Sequence, residues 1–512
     1  MKKISFLMAA LLVAMVGCQK EPQATPDGND VNAKGYVSVN IKLPSTLDTR
    51  ANDDFNDGDE NEWFVRNITL VFYDESNNYV WHTGVTTDWN TDAVEDNNIT
   101  STTNTGAIPV TQTTIKKVLV LLNTGSVITE EMYKDKPFDN FNVALQKASS
   151  LISASNNFFM TNVPYYNDDK SAYESLYEVR LGKTEAEAIA NAHALPKVQV
   201  ERAAAKVQVK YTDADGNENA TGVYTVGDDE ATVTLTGWNL DVTNKSFFPV
   251  RKYGLEADGW FPTGNAVNSG LIGLSGRVYY AIDPNYTGEI EEGSFTPAEL
   301  TTLTNANKAI AYCHENTFAI SNQRQNQSTR VLLAAKYQPK GFDADQTWYQ
   351  VGTAKTIYNA TDLLTYINTT LINHGHSQTL DALPTETAGE VTLKAGEVDI
   401  NALIGKVYCY KDGVCYYPVI IRHFNHEEID YTSESEFNGT YETAKGVYAA
   451  KDLGRYGVVR NNWYVLSIKK ITGPGSPDYP TPGNENDDEI EMFVSTDILI
   501  TPWCLREQGV IL

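Results

Sequence analysis

What most constrains this chain is a strand with a core-facing side, joined to the rest by a segment that a protease can reach. In Gly35 to Ala51, Val37, Val39, Ile41 and Leu43 alternate with Tyr36, Ser38, Asn40 and Lys42, the period-two signature of a strand with one buried face. Pro44 cannot donate to a ladder, so pairing is expected to stop there. The following run, Ser45 to Glu62, is polar, acidic and poor in apolar anchors, which predicts an exposed loop. Within it Arg50 stands before small Ala51, in the kind of segment a trypsin-like protease engages. On this stretch alone, the same residues also describe an ordinary first strand followed by a surface loop with an incidental arginine.

With 512 residues the chain is too long for one ordinary core, and length suggests about three domains, or two if they are all-β. Lys and Arg total 40 against 66 Asp and Glu, a net charge of -26, which argues against binding nucleic acid through bulk electrostatics. The 29 tyrosines, the recurrent Thr and Asn, and Gly and Pro punctuating short alternating runs point to an all-β protein. Met1 to Gly17 carries Lys2 and Lys3 before an apolar run from Ile4 to Val16, which reads as a secretory signal rather than a membrane span. Ala14-Met15-Val16-Gly17 precedes Cys18 as a bacterial lipobox does, so Cys18 is the expected lipid attachment point; the alternative is an ordinary signal peptide with an unrelated cysteine. Gln19 to Asn32 then forms a tether.

Four cysteines remain, Cys313, Cys409, Cys415 and Cys504, and none has the spacing of a zinc site. Cys409-Tyr-Lys-Asp-Gly-Val-Cys415 reads as a hairpin in which a three-residue loop, Lys411-Asp412-Gly413, sets Cys409 opposite Cys415, where a cross-strand disulfide fits. A two-residue loop instead leaves the two thiols out of register and unpaired. No nucleophile elbow, phosphate loop, HExxH or dinucleotide fingerprint occurs, so no enzymatic activity, cofactor or metal is expected. His423-Phe-Asn-His426-Glu427 reads as a polar turn, and Asp53, Asp54, Asp57, Asp59 and Glu60 read as a solvated loop, because Phe55 falls where a calcium loop needs an oxygen ligand.

Along the chain, Phe64 to Tyr73 predicts a strand with Ile68, Leu70 and Phe72 on one face, followed by a turn into Tyr79-Val80-Trp81. Ile115 to Asn123 predicts a central strand buried on both faces. Helical spacing appears over Glu130 to Ile152, Glu185 to Ala194, Pro297 to Tyr312 and Thr361 to His374. Between Lys197 and Lys210 the apolar phase changes, from Val198 and Val200 to Val207 and Val209. One buried face cannot persist through that change without a bulge or a move to another sheet, so the domain boundary is placed here. Val407 to Arg422 predicts a late hairpin, and Val458 to Lys470 another strand. Thr472 to Glu489 is Pro, Gly, Asn and acid, which predicts a flexible linker reaching roughly 50 Å when extended. It leads to a last alternating strand in which Ile490, Met492, Val494, Ile498 and Ile500 face inward and Glu491, Phe493, Ser495, Asp497 and Leu499 largely outward.

These pieces resemble the fimbrilins of Bacteroidales, the subunits of type V pili, and most of all the major stalk subunit of the minor (short) fimbria. The resemblance is carried by Gly35-Tyr-Val-Ser-Val-Asn-Ile-Lys-Leu-Pro44, Arg50-Ala51, Val118-Leu-Val-Leu-Leu-Asn123, Val200-Glu-Arg-Ala-Ala-Ala-Lys-Val207, and Val458-Val-Arg-Asn-Asn-Trp-Tyr464 with Ser467-Ile-Lys-Lys-Ile471. Asn265 to Gln378 has no matching counterpart. The resemblance implies an all-β fold of two transthyretin-like β-sandwich domains with short helical insertions. It divides the chain into a lipoprotein signal (1–17), a lipidated propeptide with the removable first strand (18–50), an N-terminal sandwich (51–197), a C-terminal sandwich (198–472), the linker (473–489) and C-terminal donor strands (490–512). It implies cleavage between Arg50 and Ala51 by an arginine-specific protease, loss of the strand carrying Val37, Val39, Ile41 and Leu43, and polymerisation by strand exchange into a cell-surface fimbrium. The precursor would be a lipoprotein anchored to the outer membrane. Expected partners are further copies of the chain, accessory and anchor subunits, and host or bacterial surface ligands. Two alternatives are an accessory or tip fimbrial adhesin, and a surface glycan-binding lipoprotein suggested by Trp238, Trp260 and Trp348.

Overall fold

The computed structural model describes residues 33–43, 62, 64–86, 90–95, 98–146, 149–153, 157–167, 172–227, 231–252, 282–286, 295–296, 298, 303, 305–318, 322–352, 356–423, 456–487 and 494–502. The fold is all-β with short helical insertions, as the sequence predicts. The first strand is split into β1 (Gly35–Val37) and β2 (Asn40–Lys42). There follow β3 (Ile68–Tyr73), β4 (Tyr79–Val85), β5 (Asn90–Glu95), β6 (Asn98–Asn104), β7 (Ile108–Val110), β8 (Lys117–Leu122), β9 (Met160–Asn162) and β10 (Val198–Arg202). One large sheet runs β4-β3-β8-β9-β10-β2-β6-β5, while β1 leaves it to pair with β7.

Strand β8 is buried along its whole length, which is why it reads as an uninterrupted apolar run. Val118, Val120 and Leu122 pack with Leu70, Phe72 and the four apolar residues of the first strand. Leu119 and Leu121 face the other way, onto Tyr133, Phe138, Phe141 and Phe159. That second layer is not the long helix expected over Glu130 to Ile152. Within it the chain forms two single turns, α1 (Glu130–Tyr133) and α2 (Phe138–Phe141), because Asp135 adopts φ 56 and Pro137 restarts the chain in an extended conformation. The helix expected over Glu185 to Ala194 is present as α3, capped by Thr184, whose hydroxyl accepts from the Glu187 amide.

The change of apolar phase coincides with a change of sheet. β10 ends at Arg202, buried Ala203 and Ala204 intervene, and β11 (Ala205–Tyr211) begins in a different sheet. Here β12 (Val223–Val226), β13 (Ala231–Asp241), β14 (Ile310–Cys313) and β15 (Arg330–Pro339) contribute to two four-stranded layers. Their core joins Val207, Val209, Tyr464 and Leu466 on one side to Val233, Trp238, Leu333 and Ala335 on the other. The helix expected over Pro297 to Tyr312 is not formed in the described part, because Ile310 to Cys313 pair instead with Ala205 to Gln208.

A third unit grows out of this sandwich. Strands β16 (Trp348–Val351), β17 (Thr356–Tyr358), β18 (Gly389–Val391) and β19 (Val407–Tyr410) form one sheet under helices α4 (Ala360–Asn373) and α5 (Ile400–Ile404). It has its own core of Leu363, Ile367, Leu371, Leu393 and Val407. Helix α4 matches the apolar spacing read from the sequence and is capped by Asn359. At the root of the unit Trp348 stacks on Tyr410, ring centroids 3.8 Å apart.

Two further expectations are overturned. Val407 to Arg422 is not a hairpin: a turn at Lys411–Gly413, with Asp412 at φ 52, carries the chain from β19 into β20 (Val414–Ile420), which belongs to the sandwich. Cys409 therefore lies opposite Tyr349 and Gly389, Cys415 opposite Ala335, and both are buried free thiols rather than a cross-strand disulfide. Nor are the described residues of the linker, 472–487, a loose tether. They lie as a strap across the sandwich, exchanging backbone hydrogen bonds between Ser476 and Tyr416 at 2.8 and 2.9 Å. Tyr410 and Tyr417 donate to the carbonyls of Gly475 and Gly473, Arg330 to that of Pro480, and Ser328 to Asp487. The strap leads from β21 (Asn462–Ile471) towards β22 (Val494–Pro502).

Candidate functional site: the first strand and its groove

The first strand is buried more completely than its alternation suggests. Val37 and Ile41 are 0% exposed, Val39 and Leu43 2%. The intervening Ser38, Asn40 and Lys42, expected to face solvent, are only 3%, 8% and 6% exposed, because α3 and the turn after β6 cover that side. β2 runs parallel to β10, with Ile41 opposite Val198, and antiparallel to β6, with Asn40 opposite Asn104. β1 pairs with β7, and Tyr36 exchanges two backbone bonds with Gly182. Gly182 is required there, since a Cβ would stand 2.3 Å from the Ala188 amide nitrogen in α3.

The covered polar side is a hydrogen-bonded row. Ser38 Oγ donates to Asn104 Oδ1 at 3.0 Å, and Asn104 Nδ2 donates to Asn40 Oδ1 at 2.5 Å. Asn40 Nδ2 in turn donates to the Ala192 carbonyl at the end of α3, 2.8 Å away. Buried Ser38 and Asn40 thus find partners in Asn104 and the end of α3, so the groove specifies polar positions as well as apolar pockets.

At the other end of the chain β22 pairs antiparallel with β21, from Ile471 opposite Val494 to Asn462 opposite Pro502. The sheet order β14-β11-β21-β22 makes it an edge strand. Val494, Ile498 and Ile500 stand in it, whereas Ile490 and Met492 lie outside the described residues, as do Cys18, Arg50 and Ala51.

Between the two halves sits a set of buried charges that the sequence reading missed. Lys206 Nζ lies 2.8 Å from the Glu62 carboxylate and 3.6 Å from the Trp463 ring centre. Tyr312 donates to the same carboxylate, and Arg202 Nε donates to the Glu62 carbonyl at 2.8 Å. Burial by itself raises the Glu62 carboxyl, but Lys206, Tyr312 and Arg202 together hold it below the usual range. Nearby, Arg251 grips Glu201 through two bonds, and Arg460 reaches Glu315 and the Phe248 and Pro249 carbonyls. Burial pushes Glu201 up to about 7 despite Arg251 and Arg460, and Asp283 also up to about 7. The available signal was three charges, Glu201, Arg202 and Lys206, in an otherwise apolar run.

Residues 408–509 match the family model of the C-terminal region of fimbrillin, the major fimbrial subunit protein type IV. By this segment the C-terminal part of the chain is similar to the fimbrillin family. The fimbrillin match takes in most of β19, then β20, β21, the strap and β22. Among solved structures, the chain is similar to a candidate cell adhesion protein from Parabacteroides distasonis (11% identity, 93% of this chain and 100% of that one, TM-score 0.42). It is also similar to a fimbrilin from Porphyromonas gingivalis W83 (14%, 93% and 99%, 0.37). A third is the tip fimbrial protein Mfa3 of Porphyromonas gingivalis with a C-terminal truncation (10%, 91% and 100%, 0.35). At these values the likeness to the fimbrillin family rests on residues 408–509. No curated protein matches the chain.

Of the remaining residues singled out in the sequence, some are buried and the others lie outside the described residues. His423 is buried with Nδ1 2.6 Å from the Tyr464 hydroxyl, and burial pulls its pKa down to about 3; His426 and Glu427 lie outside the described residues, as do Asp53 to Glu60. Trp238 and Trp348 are 0% exposed, so neither presents a platform for a glycan, and Trp260 lies outside the described residues.

Proposed function

We propose that this chain is a fimbrillin-like structural subunit of a cell-surface fimbria, contributing to adhesion. In this reading it is exported as a lipoprotein acylated at Cys18 and anchored to the outer membrane. An arginine-specific protease cuts it between Arg50 and Ala51, and it polymerises when the C-terminal strand of a second copy replaces residues 35–43. The observation that carries the reading is the burial of Val37, Val39, Ile41 and Leu43 in a segment that continues into the rest of the chain through the stretch containing Arg50. Losing the strand removes about 1.5–3 kcal/mol of burial per side chain and strips the ladders of β6, β7 and β10 of a partner. A terminal strand from another copy refills the groove by strand addition. The contact joins different surfaces of two copies and does not close on itself, so it grows a filament.

The test is electron microscopy of cells with and without the chain, together with N-terminal sequencing of the isolated subunits. Filaments that vanish with the chain and begin at Ala51 are expected. Subunits that retain lipidated Cys18 throughout would refute the maturation step. A second placement, as an accessory or tip subunit, is favoured by the unit of β16 to β19 with its separate core, a natural place for a ligand site. Immunogold labelling along the shaft or only at its end separates the two.

A further inference from the structure

The groove dictates more than apolar pockets, and the chain carries a second segment that answers most of its demands. Tyr36-Val-Ser-Val-Asn-Ile-Lys-Leu43 and Phe493-Val-Ser-Thr-Asp-Ile-Leu-Ile500 align without a gap. Aromatic stands for aromatic, Val494 for Val37, Ser495 for Ser38, Asp497 for Asn40, Ile498 for Ile41 and Ile500 for Leu43. We propose that the terminal strand enters the groove of a second copy in this one register, which is set by Asn104. The proposal rests on the strand-replacement reading above and specifies its interface.

Asn104 supplies the discrimination. It accepts from a hydroxyl at the position of Ser38 and donates to an oxygen two residues further on, at Asn40. Ser495 followed by Asp497 supplies that hydroxyl and that oxygen. Moved two residues one way, Phe493 and Ser495 would face Asn104; moved two residues the other way, Asp497 and Leu499 would, and each slip costs the Asn104 amide one of its contacts with the strand. A slip of one residue drives Asp497 into an apolar pocket. The register also accounts for Phe493 and Leu499, which blur the alternation: they take the places of Tyr36 and Lys42, of which Lys42 is itself only 6% exposed.

The donor is an imperfect copy at one atom. Asn40 Nδ2 donates to the Ala192 carbonyl, at the C-terminal end of α3 where unpaired carbonyls concentrate negative partial charge. An ionised Asp497 accepts from Asn104 but cannot donate to Ala192. Asp497→Asn restores the donor, and protease-triggered polymerisation is expected to reach half-extent at a concentration lower by roughly fivefold to tenfold.

The register is read directly by cross-linking. Lys42 lies opposite Thr102 in the precursor, so Leu499 of the donor is placed opposite Thr102 of the acceptor, at a separation that suits a disulfide. Full-length precursors carrying Cys504→Ser and Thr102→Cys are combined with Leu499→Cys, Asp497→Cys or Thr501→Cys, then cut with an arginine-specific protease and run on non-reducing gels. A reductant-sensitive ladder from the Leu499→Cys pair alone, and only after cleavage, is expected. A ladder from either other pair, or filaments that cross-link with none, overturns the register while leaving strand replacement standing. Failure of the parent carrying only Cys504→Ser to polymerise at all overturns the underlying reading, and the register with it.

Discussion

The Glu62 carboxylate and the Lys206 ammonium meet 2.8 Å apart with 0% and 1% of their side chains exposed. Glu62 stands 12 residues beyond Arg50 in the sequence, so the pair ties down the chain just after the expected cut, on the same face of the junction as Trp463. Breaking such a pair from one side is far costlier than replacing both partners with apolar groups. Glu62→Ala is expected to lower unfolding stability by about 3–5 kcal/mol, and Glu62→Ala with Lys206→Met to recover most of it. Urea titrations of the cleaved protein measure both; equal losses in the single and double variants would show that the pair is not the anchor. Because the Glu62 carboxyl is held below its ordinary value, its contribution is present above pH 4.5 and is lost as pH falls through the folded value.

Glu201 and Asp283 act in the opposite sense. Burial raises both to about 7, helped for each by Glu315 and opposed at Glu201 by Arg251 and Arg460, and at Asp283 by hydrogen bonds from Asn285 and the Thr317 amide. The folded state therefore keeps protons that the unfolded chain has released above its ordinary carboxyl values. Stability is expected to decline as pH rises from about 4.5 towards 7 and to level off beyond. Asp283→Asn should flatten part of that decline, read as the pH dependence of the thermal midpoint. A profile that rises over the same interval in both proteins would contradict the assignment.

The strap makes a prediction about proteolysis. Its composition is that of an unstructured linker, yet Tyr416, Tyr417, Arg330 and Ser328 bind it. Gly475 lies so close to β20 that a Cβ would stand 2.3 Å from the Tyr416 carbonyl oxygen. Residues 472–487 are expected to resist a broad-specificity protease in the native protein. Gly475→Ala is expected to expose them to rapid cutting while costing about 1–3 kcal/mol. Equal and rapid cutting of the native strap would mean that it is not docked in solution.

How much of this was legible follows from what each element presents to a sequence reader. Apolar periodicity located β3, β8, α3 and α4, because each buries its own side chains along one or both faces. Glu130 to Ile152 has the same periodicity but not the helix, since Asp135 and Pro137 break it and the apolar residues reach the core from two separate turns. The turn at Lys411–Gly413 was visible as a turn, but nothing local states that β19 and β20 join different sheets. The strap left little apolar signal, because it is held largely through backbone carbonyls. Burial of Ser38, Asn40 and Lys42 was hidden for a related reason: residues distant in sequence, Asn104 and Ala192, satisfy them.

The terminal strand ties these points to one last expectation. In the precursor β22 covers the open edge of β21, pairing with it from Ile471 to Asn462, while β11 holds the other edge. A chain ending at Asp487 keeps the strap and, among the described residues, loses this edge strand, so the sandwich core of Val207, Tyr464, Leu466 and their partners persists. The truncated protein is expected to be exported, cut at Arg50 and folded, but monomeric after cleavage. It should also unfold at lower urea than the full chain, because one side of β21 now exposes unpaired backbone groups to solvent. Size-exclusion chromatography after protease treatment and urea titration before it separate the two effects. Filaments from the truncated protein would place the donor strand elsewhere. An unchanged unfolding midpoint would show that the strand makes no stabilising contact with its own subunit, and its transfer to a neighbour would then begin without the loss of any pairing.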